Sequence, residues 1–259
     1  MFKLKMEEAA EKKDSKIVLA LDFPYSSLNS QENLFNKAKK IIEDVYPYIC
    51  AVKINHHLVL PLGTFQGVKK LIEIIHEKDL PVIMDCKAND IGATNRVIAE
   101  YYFAAGFDAI IANPFVGWDE GLKPIFEVSK KMHRGVILLA YMSHRGAKEG
   151  YGQLIYDKEK DEKIAQYISF ARKALNWGAD GVVVGATVPE KIREINEILE
   201  DKIPIYSPGI GAQGGKAISA INAGANYLIV GRSITLDKNP QKIVKILNKK
   251  LKNESSLER

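Results

Sequence analysis

The stretch LPVIMDCKANDIG, residues Leu80 to Gly92, joins an apolar, strand-like run to a segment with the pattern of a helix. It places three charges, Asp85, Lys87 and Asp90, where the strand is expected to end. In parallel α/β folds this junction is where catalytic and binding residues are found. The stretch therefore predicts a strand–helix unit with a functional site at its centre.

The same unit recurs along the chain. Eight short apolar segments are each followed by an amphipathic helical segment: KIVLALD, YICAVKI, PVIMD, DAIIAN, GVILLAYM, DGVVVG, IPIYS and NYLIVG. Strands that are apolar on both faces are typical of a parallel sheet covered on both sides. Eight such units in about 240 residues predict an α/β fold of the (β/α)₈ or TIM-barrel type, with a doubly wound open sheet as the alternative.

No composition shift divides the chain, so we expect one domain over residues 1–259. Within it, residues 1–15 are expected to form an N-terminal extension and residues 252–259 a flexible tail. The N-terminal residues lack the pattern of a signal peptide, and no apolar run approaches the roughly 18 residues of a membrane span. We therefore expect no membrane partner and a cytoplasmic location.

Composition narrows the possible partners. The 259 residues are 46% hydrophobic and 27% charged, with a formal net charge of +5, as in an ordinary globular protein. The positive charge is spread along the chain and no recognition motif for nucleic acid accompanies it, so we expect no nucleic-acid partner. The two cysteines, Cys50 and Cys86, do not make a disulfide framework and favour a reducing compartment.

Two glycine-containing loops predict a phosphate site. SPGIGAQGG, residues 207–215, follows the seventh strand, and Gly231 with Arg232 ends the eighth. Glycines let backbone N–H groups approach an anion, and the loops after these two strands are the usual phosphate site of this barrel. Arg232 could bind a phosphate through two hydrogen bonds. The alternative is that the glycines only form tight turns and that Arg232 pairs with a surface carboxylate.

The charged residues predict a second part of the site. In an extended backbone, residues two apart point the same way, so Asp85 and Lys87 are expected to face the barrel mouth with Cys86 turned aside. Asp22 and Lys53 end the two neighbouring strands and could reach the same place. Because buried charges are costly unless they are paired, we expect a network of alternating charges. Ion pairs that merely close the barrel top are the alternative.

A metal site is not expected. His56 and His57 are adjacent and do not share a face, and no matching His or Cys spacing occurs elsewhere. Solvent-facing or packed histidines are the favoured interpretation of this pair.

These motifs resemble the orotidine 5′-phosphate decarboxylase family. DCKANDI, Asp85 to Ile91, matches the family's Asp-x-Lys-x-x-Asp-Ile pattern, and AVKI, MSHRGA, PGIGAQGG and VGRSI agree in order and position. The resemblance covers most of the chain, from LALD to IVGRSI. It implies a cofactor-free enzyme that converts orotidine 5′-phosphate to UMP, the last step of de novo pyrimidine synthesis. It also implies a homodimer with shared active sites.

The resemblance further implies roles for single residues. Lys87 resembles the general acid that delivers a proton to C6 of the pyrimidine, and Asp85 the carboxylate that faces the substrate carboxylate. Lys53 and Asp22 resemble the ribose-binding members of the charge network. Residues that resemble those lent to the neighbouring subunit's site are Asp90, Ile91 and Thr94. Residues that resemble the contacts to the base and the phosphate are Ser143, Pro208, Gln213, Gly231 and Arg232.

Two alternatives within the same barrel type stay open. Magnesium-dependent sugar-phosphate decarboxylases or aldolases share the Asp-x-Lys-x-x-Asp motif but typically carry an acidic residue where this chain has Lys53. A non-catalytic phosphate-binding barrel would have no need of Lys87. The sequence departs from the decarboxylase pattern at INHHLVLPLG, where a Gly-x-Pro segment often follows the lysine, and at Arg145, where a smaller residue or proline is expected.

Overall fold

A computed structural model describes residues 1–24, 30–158, 160–211 and 215–255. Ten strands, numbered in chain order, include eight that form a closed parallel barrel in the order β1-β10-β9-β8-β5-β4-β3-β2. The barrel strands are β1 Ile17–Ala20, β2 Ala51–Asn55, β3 Val82–Ala88, β4 Ala109–Ala112, β5 Gly135–Tyr141, β8 Gly181–Val184, β9 Ile205–Pro208 and β10 Tyr227–Val230. Each lies within or overlaps one of the eight predicted segments, so the (β/α)₈ barrel is confirmed and the open sheet is excluded.

One helix precedes the first strand, and the others lie in the connections that follow the barrel strands. The helices are α1 Phe2–Lys13, α2 Gln31–Val45, α3 His56–Leu62, α4 Lys69–His76, α5 Gly92–Ala104, α6 Lys123–Met132, α7 Ala147–Gly150, α8 Gln166–Trp177, α9 Pro189–Leu199, α10 Gly215–Asn222, α11 Arg232–Thr235 and α12 Pro240–Ser255. Ser30 begins α2 because its side chain accepts a hydrogen bond from the backbone N–H of Asn33. In the part of the chain that the structure describes, no helix combines the length and apolarity needed to cross a membrane.

The N-terminal segment is part of the fold. Helix α1 buries Phe2, Met6 and Ala9 against the N-terminal end of the barrel. Phe2 lies so close to Gly135, the first residue of β5, that a Cβ atom on that glycine would be 2.6 Å from the Phe2 Cβ atom. Lys5 adds a 2.9 Å contact to Asp108, next to β4. The predicted extension is therefore a helix that closes the barrel at the end opposite the strand C-termini.

The predicted tail is also partly structured. Helix α12 continues to Ser255, so residues 252–255 of the predicted tail are helical. Residues 256–259 lie outside the described residues.

A hairpin interrupts the connection between β5 and β8. Strand β6, Leu154–Asp157, pairs antiparallel with β7, Glu162–Ala165. Residues Glu162–Ala165 are extended, and α8 begins only at Gln166. Arg172 of α8 contacts Asp157 at 2.8 Å and Glu162 at 3.1 Å. Such tertiary contacts override local helical propensity.

Candidate active site

The C-terminal end of β3 carries Asp85 and Lys87 to the barrel mouth. Both side chains line a cavity there, as the sequence predicts. The backbone between them is not regular, because the pairing of β3 with β4 shifts between Met84 and Ala88 and Lys87 has a φ of 51°. A positive φ is unusual for a residue other than glycine, and irregular strand ends often re-aim a side chain beside an active site. The extended-strand argument thus predicts the direction of these side chains but misses the bulge.

Four charges form one chain of ion pairs. Asp85 contacts the Lys53 ammonium through Oδ2 at 2.6 Å and the Lys87 ammonium through Oδ1 at 2.6 Å. The Lys53 ammonium also lies 3.4 Å from Asp22 Oδ1. The four side chains come from the ends of three neighbouring strands, β1, β2 and β3, so the barrel topology brings together what the sequence separates.

Burial and ion pairing act in opposite directions on the pKa values of Lys53 and Asp85. Burial alone would lower the pKa of Lys53, but the charges of Asp85 and Asp22 outweigh it and the pKa is raised. Burial alone would raise the pKa of Asp85, but Lys53 and Lys87 outweigh it and the pKa is lowered. Near neutral pH, Lys53 is therefore an ammonium and Asp85 a carboxylate, and the cavity presents fixed charges of both signs.

Asn55 supports the network from the end of β2, two residues after Lys53. Its Nδ2 donates to Asp22 Oδ1 at 2.8 Å, and its Oδ1 accepts from the backbone N–H of His57 at 2.9 Å. The second bond caps α3 at the site where the sequence departs from the Gly-x-Pro pattern. His56 and His57 are exposed at the start of this helix. Sequence reasoning missed Asn55, whose only signal is its place two residues after Lys53.

The cavity has a volume of about 440 Å³, enough for a nucleotide-sized ligand. Its lining divides into the four charges, several apolar side chains and residues of the loops after β9 and β10. The apolar residues of this lining include Ile111, Leu139, Val183 and Ile229. A ligand with a flat ring and a charged end would suit this division.

Ser143 reaches the cavity because two neighbouring positions lack side chains. A Cβ atom on Gly185 would lie 2.7 Å from Ser143 Cα, and one on Gly209, whose φ is 99°, would lie 3.3 Å from Ser143 Cβ. Thr187 donates a 3.1 Å hydrogen bond to the Ser143 carbonyl. The ends of β8 and β9 therefore fix the loop that follows β5.

The predicted phosphate end lies on the same cavity. Pro208, Gly231 and Arg232 line it, together with Gly211 of the loop after β9. A Cβ atom on Gly231 would lie 3.3 Å from Asp22 Oδ2, so the end of β10 borders directly on the charge network. Gln213 falls in residues 212–214, outside the described residues.

Three predicted site residues do not line this cavity. Asp90, Ile91 and Thr94 are exposed at the start of α5, and the Ile91 side chain is 64% exposed. Among the residues that the structure describes, no three or more His, Cys, Asp or Glu side chains are grouped so that they could hold a metal ion.

Comparisons with known proteins cover most of the chain. A family model described as "Orotidine 5'-phosphate decarboxylase / HUMPS family" matches residues 15–246. Orotidine 5′-phosphate decarboxylase of Methanosarcina mazei is 40% identical over 207 residues, which are 79% of this chain and 84% of that protein. The corresponding enzyme of Thermococcus kodakarensis is 38% identical over 234 residues, covering 90% of this chain and 95% of the relative.

A solved structure matches this fold over most of both chains. The crystal structure of Methanocaldococcus jannaschii orotidine 5′-monophosphate decarboxylase complexed with the inhibitor BMP superposes with a TM-score of 0.74 at 35% identity. The match covers 92% of this chain and 98% of that one. These comparisons cover both the barrel and the loops that form its mouth.

Proposed function

Because the chain belongs to the orotidine 5′-phosphate decarboxylase / HUMPS family, we propose that it decarboxylates orotidine 5′-phosphate to UMP, the last step of de novo pyrimidine synthesis. The observation that carries the proposal is the position of Asp85 between Lys53 and Lys87 at the mouth of the barrel. A non-catalytic binding protein would need no lysine poised beside a carboxylate. Lys53 also stands where a magnesium-dependent sugar-phosphate enzyme would need an acidic ligand.

In the proposed complex, remote groups hold the substrate and the charges act on its reacting end. Arg232 and the backbone around Gly231 bind the phosphate, Asp22 and Lys53 bind the ribose, and Ser143 bonds the pyrimidine. Binding of the phosphate contributes free energy that can be used at the distant C6 atom. No cofactor is required by this arrangement.

The chemical step breaks the bond between C6 and the carboxylate carbon. CO₂ leaves and the electron pair stays on C6, while the Lys87 ammonium stabilises the developing negative charge. Lys87 then gives a proton to C6, which forms the C–H bond of UMP, and the neutral amine takes a proton from water. Asp85, held ionised by the two lysines, lies beside the substrate carboxylate and disfavours the ground state.

The test is a direct assay with purified protein. Loss of the orotate absorbance and formation of UMP and CO₂ are expected with orotidine 5′-phosphate, and exhaustive treatment with EDTA should not change the rate. A requirement for added Mg²⁺, or turnover of a sugar phosphate alone, would instead support the other branch of the family.

We also propose a homodimer in which each subunit lends Asp90 to its partner's site. The support is the outward position of Asp90, Ile91 and Thr94 and the apolar surface beside them. Tyr101 of the same helix is 59% exposed and makes an edge-to-face contact with the exposed Phe65. An apolar face next to outward-facing site residues favours an isologous contact with a second copy.

Mixing two inactive variants tests the shared site. In a mixed dimer of Lys87→Ala and Asp90→Ala subunits, one site receives both defects and the other receives neither. Random pairing makes half of the dimers mixed, so an equal mixture should recover about one quarter of wild-type activity. If each subunit supplies its own Asp90, every site carries one defect. Absence of recovery, with subunit exchange confirmed by differential labelling, would therefore contradict the shared site but not the decarboxylase function.

We infer a cytoplasmic location from the two free cysteines, Cys50 and Cys86, which suit a reducing compartment. Cell fractionation with an antibody against the protein would test this.

A further inference from the structure

The buried Asn95 side chain makes hydrogen bonds to the backbone of the turn that contains Asp90. This side chain is 0% exposed, although it lies near the start of α5. Its Nδ2 donates to the Asp90 carbonyl oxygen at 2.5 Å, and its Oδ1 accepts from the Asp90 backbone N–H at 3.3 Å. One side chain therefore binds both polar backbone groups of Asp90.

The same amide ties this turn to another part of the barrel mouth. Nδ2 of Asn95 also donates to the carbonyl oxygen of Gly121 at 3.0 Å, in the connection between β4 and α6. The two segments are in close contact, because a Cβ atom on Gly92 would lie 3.1 Å from the carbonyl carbon of Glu120. The position of Asp90 thus depends on a neighbouring βα unit as well as on its own helix.

The pattern of partners requires an asparagine. Two carbonyl oxygens and one N–H group face the side chain, which matches two amide donors and one amide acceptor. An aspartate would set a carboxylate oxygen against the carbonyl oxygens, and a leucine would remove all three hydrogen bonds. A buried polar group left without a partner is unfavourable, so the amide fixes one arrangement of the turn.

The Asp90 side chain is left facing outward by this arrangement. Its Oδ1 accepts a 2.7 Å hydrogen bond from the backbone N–H of Ile91, and the residue is exposed. The backbone is therefore held from inside the protein, while the carboxylate points away from it.

We propose that Asn95 is a positioning residue, which fixes the Asp90 backbone so that the carboxylate is held in the direction that the active site requires. The inference rests on the proposed decarboxylase function and on the role of Asp90 in it. Asn95 itself does not touch the substrate. A purely structural role would lower stability without acting through Asp90, and this difference can be measured.

A double-mutant cycle separates the two roles. Asn95→Ala should lower kcat/KM for orotidine 5′-phosphate by about 10- to 100-fold, as expected when a catalytic group is displaced by about 1 Å. In the Asp90→Ala background the same change should cost less than about twofold, because the group it positions is already absent. An equal loss in both backgrounds would overturn the proposal.

Two further variants guard against an effect of misfolding. Asn95→Ser leaves a polar group at this position but shortens the side chain, so it replaces Asn95→Ala in the cycle if that variant does not fold. Asn248→Ala is the matched control, because Asn248 is also buried, at 8% exposure, and donates to the Tyr48 carbonyl at 2.8 Å near the opposite end of the barrel. It should lower the melting temperature and leave kcat/KM unchanged.

Subunit mixing gives a readout that a structural role would not produce. In a dimer of Asn95→Ala and Lys87→Ala subunits, the barrel with intact Lys87 receives Asp90 from the subunit with intact Asn95. Recovery should match that of the Lys87→Ala and Asp90→Ala mixture. If the Asp90 mixture recovers and the Asn95 mixture does not, Asn95 acts within its own barrel and the proposal is overturned. Failure of the proposed function would appear separately, as absence of decarboxylation by the unaltered protein.

Discussion

The Lys87 ammonium lies 2.6 Å from Asp85 Oδ1, and it does so from a backbone with a φ of 51°. A left-handed backbone costs a residue with a side chain roughly 1–2 kcal/mol, and such residues cluster at functional sites. The rest of β3 is held by β2 and β4, so the surrounding sheet can maintain one strained residue. We infer that the fold accepts this strain where the proposed chemistry needs its proton donor.

Two substitutions of Lys87 separate its chemistry from its strain. Lys87→Ala and Lys87→Gly both remove the ammonium, so each should lower kcat by at least ~10⁴-fold. Glycine adopts a positive φ freely, so Lys87→Gly should have a free energy of unfolding about 1 kcal/mol higher than Lys87→Ala. Urea denaturation and steady-state assays measure the two effects. A loss below tenfold would assign the protonation to another group, and equal stabilities would argue against strain at this position.

Arg232 should matter only when the substrate carries a phosphate. Arg232→Ala is expected to lose roughly 2–5 kcal/mol of transition-state binding for orotidine 5′-phosphate, the range for a desolvated charged contact. Orotidine, which lacks the phosphate, serves as the control substrate, and its much lower kcat/KM should hardly change. If both substrates lose activity equally, the side chain has a structural role instead.

The barrel and the direction of the site charges could be predicted because both follow from local patterns. Apolar strand segments and amphipathic helices are visible within a few residues, and a parallel barrel necessarily gathers the strand ends at one face. The bulge at Lys87 could not be predicted, because a positive φ has no sequence signal outside glycine and a few polar residues. The contact of Asn55 with Asp22 and that of Asn95 with Gly121 join distant segments, so they depend on the folded structure.

The sequence predicts only an extension at residues 1–15, and the reason that helix α1 is not predicted is different. Phe2, Met6 and Ala9 recur at helical spacing, but the many charges between them hide the pattern. The signal was present in the sequence, and the short apolar stripe becomes informative once the barrel end that it covers is known.

Acid should destabilise the protein partly through Asp108, which lies under α1. Burial alone would raise its pKa, but hydrogen bonds from His76, the Val82 N–H and Lys5 outweigh it and lower the pKa to about 2. The unfolded chain binds this proton near pH 3.9, so the stabilisation is full above that pH and is lost as the pH falls toward 2. The shift corresponds to about 2.5 kcal/mol.

The control for this prediction is an exposed carboxylate of the same region. Asp108→Asn should flatten the dependence of unfolding free energy on pH between pH 5 and pH 2, because it removes the group that titrates in this range. Asp79→Asn removes a carboxylate that pairs with Lys12 at the surface and should alter this dependence much less. Denaturant titrations at several pH values give the comparison. Parallel curves for the unaltered protein and Asp108→Asn would contradict the role of Asp108.

Helix α1 should contribute to stability without affecting catalysis, because it covers the end of the barrel opposite the active site. Phe2 is 1% exposed and packs against Gly135, whereas Leu4 of the same helix is 59% exposed. Phe2→Ala should lower the free energy of unfolding by about 3 kcal/mol, the lower end for a buried phenylalanine, because a terminal helix can partly detach. Leu4→Ala should change it by less than about 0.5 kcal/mol. Both variants should keep kcat and KM within twofold of the unaltered protein at a temperature where each is folded. A large loss of kcat in folded Phe2→Ala would show that the two ends of the barrel are coupled. Equal free energies of unfolding for the two variants would show that the packing of α1 does not stabilise the barrel.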